Sequence, residues 1–255
     1  MQKPIVISLD GNIGAGKSTM LEALRAAMPD VEVVLEPVGL WSSLKDADGK
    51  SLLELFYEDK RRWAYTFQNF ALLSRAKALA EAIGKTKKTV IITERSPLTD
   101  RYVFAEMLRS SGDLTELEWT LYLRWYDSFT KNIPISAIIH LGTDVARSAD
   151  HIIKRGRAGE ESMSLEYLRL LDLQHRIWLD ETELPTLRIN VAEGGGPPLA
   201  AIQEFIASLH EHRNGPCDRV VCDFCQPEES NVTLSDEGVT IQTGPRRRRR
   251  VVEVD

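Results

Sequence analysis

One stretch of nine residues constrains this chain more than any other. Gly11-Asn12-Ile13-Gly14-Ala15-Gly16-Lys17-Ser18-Thr19 has the spacing G-x-x-x-x-G-K-[ST]. It follows the apolar run Ile5–Leu9 and leads into a helical pattern over Lys17–Met28. Glycines let the backbone curl there so that successive N–H groups point inward, and the helix dipole adds positive charge at the same place. Such a turn holds phosphate. Gly11, Asn12, Gly14, Ala15, Gly16 and Thr19 are expected to form the cradle. Lys17 is expected to neutralise the outer phosphates of the nucleotide, and the Ser18 hydroxyl to reach Mg²⁺. The loop alone predicts a nucleoside triphosphate and does not choose among GTPase, ATPase and kinase.

The rest of the chain extends the strand–helix alternation. Val31–Leu35, Thr89–Thr93, Ser136–Leu141 and Thr186–Val191 read as further strands, apolar at nearly every position, which suits strands covered on both faces. Helical spacing fills Leu52–Ile83, Thr99–Arg109, Leu114–Phe129, Asp144–Lys154, Leu165–Thr182 and Leu199–His210. The expected fold is one three-layer α/β domain with a five-stranded parallel sheet, over residues 1–212. From residue 213 to 255 the sequence turns polar, is broken by proline and glycine, and is expected to be a disordered tail. Net charge is −6, so the whole chain is not built to bind nucleic acid, and no apolar run approaches the length of a membrane span. All three cysteines, Cys217, Cys222 and Cys225, lie in the tail. A body without cysteine fits a reducing compartment, and with no room for a leader before Ile5 the expected location is cytoplasmic. The run Arg246–Arg250 would suit a nuclear address or an anion patch, and His212 with the three cysteines would suit a small zinc site or free thiols.

In an open α/β sheet, ligands bind beyond the carboxyl ends of the strands. Glu36 follows the second strand and Glu94 the third. Glu36 opens Glu36-Pro37-Val38-Gly39-Leu40-Trp41, in which the proline predicts an extended exit and Trp41 a flat wall. A carboxylate in that setting suits a base acting on a bound hydroxyl. Glu94 opens Glu94-Arg95-Ser96, with opposite charges in one turn.

Taken together, several segments resemble the deoxyribonucleoside kinases, of the deoxycytidine and deoxyguanosine kinase kind. They are the phosphate loop with Asn12, Glu-Pro-Val-x-x-Trp, Tyr57-Glu58 with Trp63, Thr66-Phe67-Gln68 and Leu73-Ser74-Arg75. Glu94-Arg95-Ser96-x-x-x-Asp100-Arg101-Tyr102-x-Phe104, Arg155-Gly156-Arg157 and Leu165-Glu166-Tyr167-Leu168 complete the set. The resemblance implies ATP-dependent phosphorylation of the 5′-hydroxyl of a deoxyribonucleoside, with Mg²⁺ and without a phosphoenzyme. It implies Glu36 as general base and Arg95 as the residue holding that base and facing the phosphoryl group. Glu94 would share Mg²⁺ with Ser18, and Arg155 and Arg157 would form a lid. Gln68 would pair with the base between Ile13, Trp41, Phe67, Ala71 and Phe104. Tyr57 and Glu166 would hold the sugar 3′-hydroxyl. Arg75 and Asp100 would favour deoxycytidine or a purine deoxynucleoside over thymidine. Where a further lid arginine is usual, His151 stands, so Arg147 or Lys154 would substitute. The resemblance also implies a homodimer through a helix bundle, with the helices at Thr99–Arg109 and Leu114–Phe129 as candidates for the interface, and needs no membrane or nucleic acid. A thymidine-preferring kinase, a nucleoside monophosphate kinase and a nucleotide-binding subunit without catalysis are the alternatives.

Overall fold

The computed structural model describes residues 3–160, 163–191, 198–214, 232–235, 238–241 and 251–254. The chain divides into two compact units, Met1–Leu199 with Val251–Asp255, and Ala200–Arg250.

The first unit is built on five parallel strands, β1 (Ile5–Gly11), β2 (Val31–Val34), β3 (Val90–Glu94), β4 (Ala137–Gly142) and β5 (Thr186–Asn190), in the order β2-β3-β1-β4-β5. Every residue of β1 and β3 is buried. Sheet positions without a polar face need cover on both sides, and flanking helices supply it. β1 runs level with β3 from Ile5 opposite Val90 to Leu9 opposite Glu94. Since β3 and β4 lie on opposite sides of β1, the sheet order reverses there, and a crevice opens at the carboxyl ends.

The helices are α1 (Lys17–Ala27), α2 (Val38–Ser43), α3 (Leu52–Glu58), α4 (Lys60–Lys85), α5 (Pro97–Thr99), α6 (Glu106–Ser110), α7 (Glu116–Thr130), α8 (Val145–Arg155) and α9 (Leu165–Glu181). A π-helical turn, Asp100–Ala105, joins α5 to α6. The helical pattern read over Leu52–Ile83 is two helices. Ser51 caps α3 through a capping box with Glu54, and Asp59 ends α3 and caps α4 by accepting from the Arg62 N–H. Glu36-Pro37 does not continue in extended form, because Pro37 occupies the N-cap of α2. That short helix turns Trp41 inward.

A further strand, Val251–Val254, lies parallel beside β5. Leu199–Asn214 forms α10, all of it after Leu199 in the second unit, with Ile202, Ile206 and Leu209 buried at helical spacing. Val232–Ser235 and Gly238–Ile241 pair as an antiparallel hairpin. With these two strands as β6 and β7, Val251–Val254 is β8. Cys217, Cys222, Cys225 and Arg246–Arg250 lie outside the described residues. Among the described residues, no helix is long and apolar enough to cross a membrane.

Candidate active site

The phosphate loop leaves β1 at Gly11 and enters α1 at Lys17. Gly11, Gly14 and Gly16 all have positive φ. Gly14 has a second reason to be glycine: a Cβ there would lie 2.3 Å from the Ser148 carbonyl oxygen on α8. Asn12 supports the loop from behind. Its side chain donates to the Leu168 carbonyl and accepts from the Ile13 N–H, both at 2.8 Å. Lys17 is buried and donates to the carbonyls of Gly11 and Asn12. Burial, with Arg95 nearby, brings its ammonium down to about 7, although Glu94, Glu36 and Asp10 pull the other way. The Ser18 hydroxyl donates to Glu94 at 3.1 Å. These two oxygen groups, brought together from α1 and β3, are the kind of ligands that suit Mg²⁺.

Beside the loop lies a network of four charged residues. Arg95 Nη1 donates to both oxygens of Glu36, at 2.8 and 2.9 Å. Arg75 Nη1 donates to Glu36 at 3.0 Å, while its Nε and Nη2 form a fork on Asp100 at 2.7 and 3.1 Å. Burial alone would raise the Glu36 carboxyl. Arg95, then Arg75 and Lys17, outweigh burial and hold it at about 2. Arg95 itself has φ +59, alone among the described non-glycine residues in having positive φ. That conformation is uncommon for a side chain of this size and marks a site held by its surroundings.

Aromatic rings wall the adjoining space. Trp41 meets Phe67 edge-on at 5.5 Å, and Phe56 stacks on Phe67 at 4.5 Å. Gln68 is buried and donates to the Asp100 carbonyl. This cavity of about 190 Å³ is lined by Ile13, Glu36, Trp41, Tyr57, Phe67, Gln68, Ala71, Arg75, Arg95, Asp100 and Phe104. A second cavity, about 510 Å³, is lined by the loop from Gly14 to Thr19 with Glu94, His151, Lys154 and Arg155. Gly14, Lys17, Ser18, Glu94 and Arg155 line both. Gly11 and Asn12 line neither, so they shape the loop from behind.

The lid follows α8. Gly156 ends that helix in the left-handed conformation, φ +60, which lets Arg155 and Arg157 turn onto one acceptor. That acceptor is Glu160, buried at 3% exposure, at 2.7 Å from Arg155 and 3.1 Å from Arg157. Glu160 lines the first cavity with Tyr57 and Tyr167. Glu166, paired with Tyr57 in the sequence reading, is exposed on α9 and lines neither cavity. Glu160 therefore stands where Glu166 was expected. Helical position 166 faces outward, whereas the turn after Gly156 carries residue 160 inward. The sequence signal was available: a carboxylate close behind two arginines is their nearest counter-charge. Of the substitutes considered for the lid, Lys154 lines the second cavity, and Arg147 donates to the Val191 carbonyl at 2.9 Å.

Comparison with known proteins gives the same reading. The deoxynucleoside kinase family profile matches residues 7–195. Deoxycytidine kinase of Mus musculus is 38% identical over 200 residues, 71% of this chain and 77% of that protein. Mitochondrial deoxyguanosine kinase of Xenopus laevis is 34% identical over 215 residues, 73% and 81% of the two chains. A probable deoxycytidine kinase of fowlpox virus is 36% identical over 219 residues, 80% and 89%. The matched span contains both cavities and the lid, and the chain belongs to the deoxynucleoside kinase family, as a kinase of deoxyribonucleosides.

Proposed function

We propose that this kinase transfers the γ-phosphoryl group of Mg·ATP directly to the 5′-hydroxyl of a deoxyribonucleoside, favouring deoxycytidine or a purine deoxynucleoside over thymidine. One observation carries the proposal. The aromatic cavity and the phosphate-loop cavity share a wall of Lys17, Ser18, Glu94 and Arg155, with Glu36 on the aromatic side only. A nucleoside in one cavity and a triphosphate in the other would meet at that wall.

Each residue then has a defined task. Ser18 and Glu94 would hold Mg²⁺, which would neutralise phosphate charge. Lys17 faces the triphosphate, and Arg155 and Arg157 leave Glu160 to close over the moving group. A carboxylate at about 2 is a weak base. Glu36 thus orients the hydroxyl and accepts its proton late, which suffices because phosphoryl transfer passes through a loose transition state. Tyr57 and Glu160 bound the sugar side. At the base, Gln68 has both donor and acceptor and can serve any base by turning its amide. Arg75 and Asp100 present fixed groups that suit an exocyclic amine or a purine edge and crowd the thymine methyl. The names of the similar proteins, deoxycytidine and deoxyguanosine kinases, support that preference.

The test is turnover of the purified chain with Mg·ATP against the four deoxyribonucleosides and thymidine monophosphate. Deoxycytidine or a purine deoxynucleoside is expected to have the highest kcat/KM. Preference for thymidine would reject the selectivity, and preference for the monophosphate would reject the hydroxyl-acceptor reading.

A further inference from the structure

His151 lies on α8 one helical turn before Arg155. Its Nδ1 is 2.7 Å from the Gly14 carbonyl oxygen of the phosphate loop. A carbonyl only accepts, so Nδ1 carries a proton. The contact is braced from below, since α8 already touches Gly14 through Ser148 and Ile152. His151 also lines the phosphate-loop cavity, with Lys17 from α1, Glu94 from β3, and Lys154 and Arg155 from α8 itself. Of its polar atoms only Nε2 is left for a ligand in that cavity. With Nδ1 committed to Gly14, Nε2 can donate to a phosphate oxygen only when the ring is an imidazolium.

We propose that His151 is a proton-dependent phosphate ligand for the donor nucleotide, its Nδ1 anchored on Gly14 and its Nε2 serving the phosphates. The proposal rests on reading this cavity as the donor's. Donor binding through that contact therefore takes up a proton. Lys17 faces the same phosphates and is itself titratable, so the decisive quantity is a difference between proteins. His151→Asn keeps a donor near the Nδ1 position for Gly14 but has no cationic form.

The experiment is calorimetric binding of MgADP at pH 7.5 in two buffers of different ionisation enthalpy, with KM for Mg·ATP measured from pH 6.5 to 8.5. The wild type is expected to take up more protons than His151→Asn. Its KM is expected to rise about threefold more over that range, with nucleoside KM unchanged. Equal proton uptake with parallel KM profiles would overturn the proposal, as would an equal loss in nucleoside KM, which indicates a purely structural role. His151→Gln, also unable to carry charge, serves the same comparison if the asparagine variant does not fold. A wild type that turns over without binding MgADP or using Mg·ATP would instead overturn the assignment of the cavity.

Discussion

Glu36 accepts from two guanidiniums, and its behaviour follows from that. Glu36→Gln retains an oxygen acceptor but cannot take the hydroxyl proton. It is expected to lower kcat by about 10²–10⁴ while nucleoside binding persists, measured by steady-state kinetics and calorimetry. The depressed carboxyl also links stability to pH. Its ordinary value is 4.5 and its value here about 2. Its ion pairs therefore contribute fully above pH 4.5, and that contribution is lost as pH falls towards 2. Urea unfolding from pH 5 to 2 should show a steeper loss of stability in the wild type than in Glu36→Gln. Arg75 and Asp100 form the second residue-scale test. Burial pushes the Asp100 carboxyl up and the Arg75 fork pulls it back. Arg75→Met alone strands that carboxylate at an expected cost of about 3–5 kcal/mol. Adding Asp100→Ala should recover part of the loss in denaturant unfolding and shift kcat/KM towards thymidine. An unchanged substrate ranking would reduce the pair to a structural bridge.

Helix α8 is where elements meet. It is capped by Asp144, whose carboxylate accepts from the Ala146 and Arg147 N–H groups, and it ends at Gly156. Between these points it touches the phosphate loop at Gly14 and carries the lid arginine Arg155. Donor loop and lid are thus joined through one helix. Gly14→Ala would place a Cβ against the Ser148 carbonyl and hold alanine at φ +80. Either the loop or α8 must shift. The expected result is about 1–3 kcal/mol of backbone strain, seen as a lowered Tm, with KM for Mg·ATP raised well beyond any change in nucleoside KM. Equal effects on both substrates would show that the contact does not act through the donor loop. Little of this contact could be read from sequence. The sequence shows that glycines stand at 11, 14 and 16, but not that one of them faces another helix's carbonyl.

At the scale of the whole molecule, α7 carries the feature that folding leaves unexplained. Leu117, Leu121, Trp125 and Phe129 recur every fourth residue and are exposed, Leu117 at 70% and Phe129 at 53%. An apolar stripe along one helix favours covering by another surface. We propose that a second copy of the chain covers it, forming a homodimer through α7. Leu117→Glu with Trp125→Glu should give a monomer in sedimentation equilibrium, whereas a wild type that is itself monomeric would reject the proposal. Of the two helices named from sequence, the stripe favours Leu114–Phe129, because Val103, Ala105, Met107 and Leu108 in the other are buried.

The amino-acid sequence by itself determined the strand–helix alternation, the phosphate loop and the strand-end carboxylates. Those signals are local, since apolar runs, glycine spacing and proline act within a few residues of chain. Through family resemblance it also put Arg95 on Glu36 and, as a separate pair, Arg75 beside Asp100. Only the tertiary structure decided which groups share a counter-charge. Arg75 bridges Asp100 and Glu36 because α4, the Glu36 segment and the Asp100 turn converge. Glu160, rather than Glu166, faces Tyr57 because a left-handed glycine reverses the chain after α8. Long-range pairing of this kind depends on where the backbone is carried in space, and no pattern within one segment encodes it.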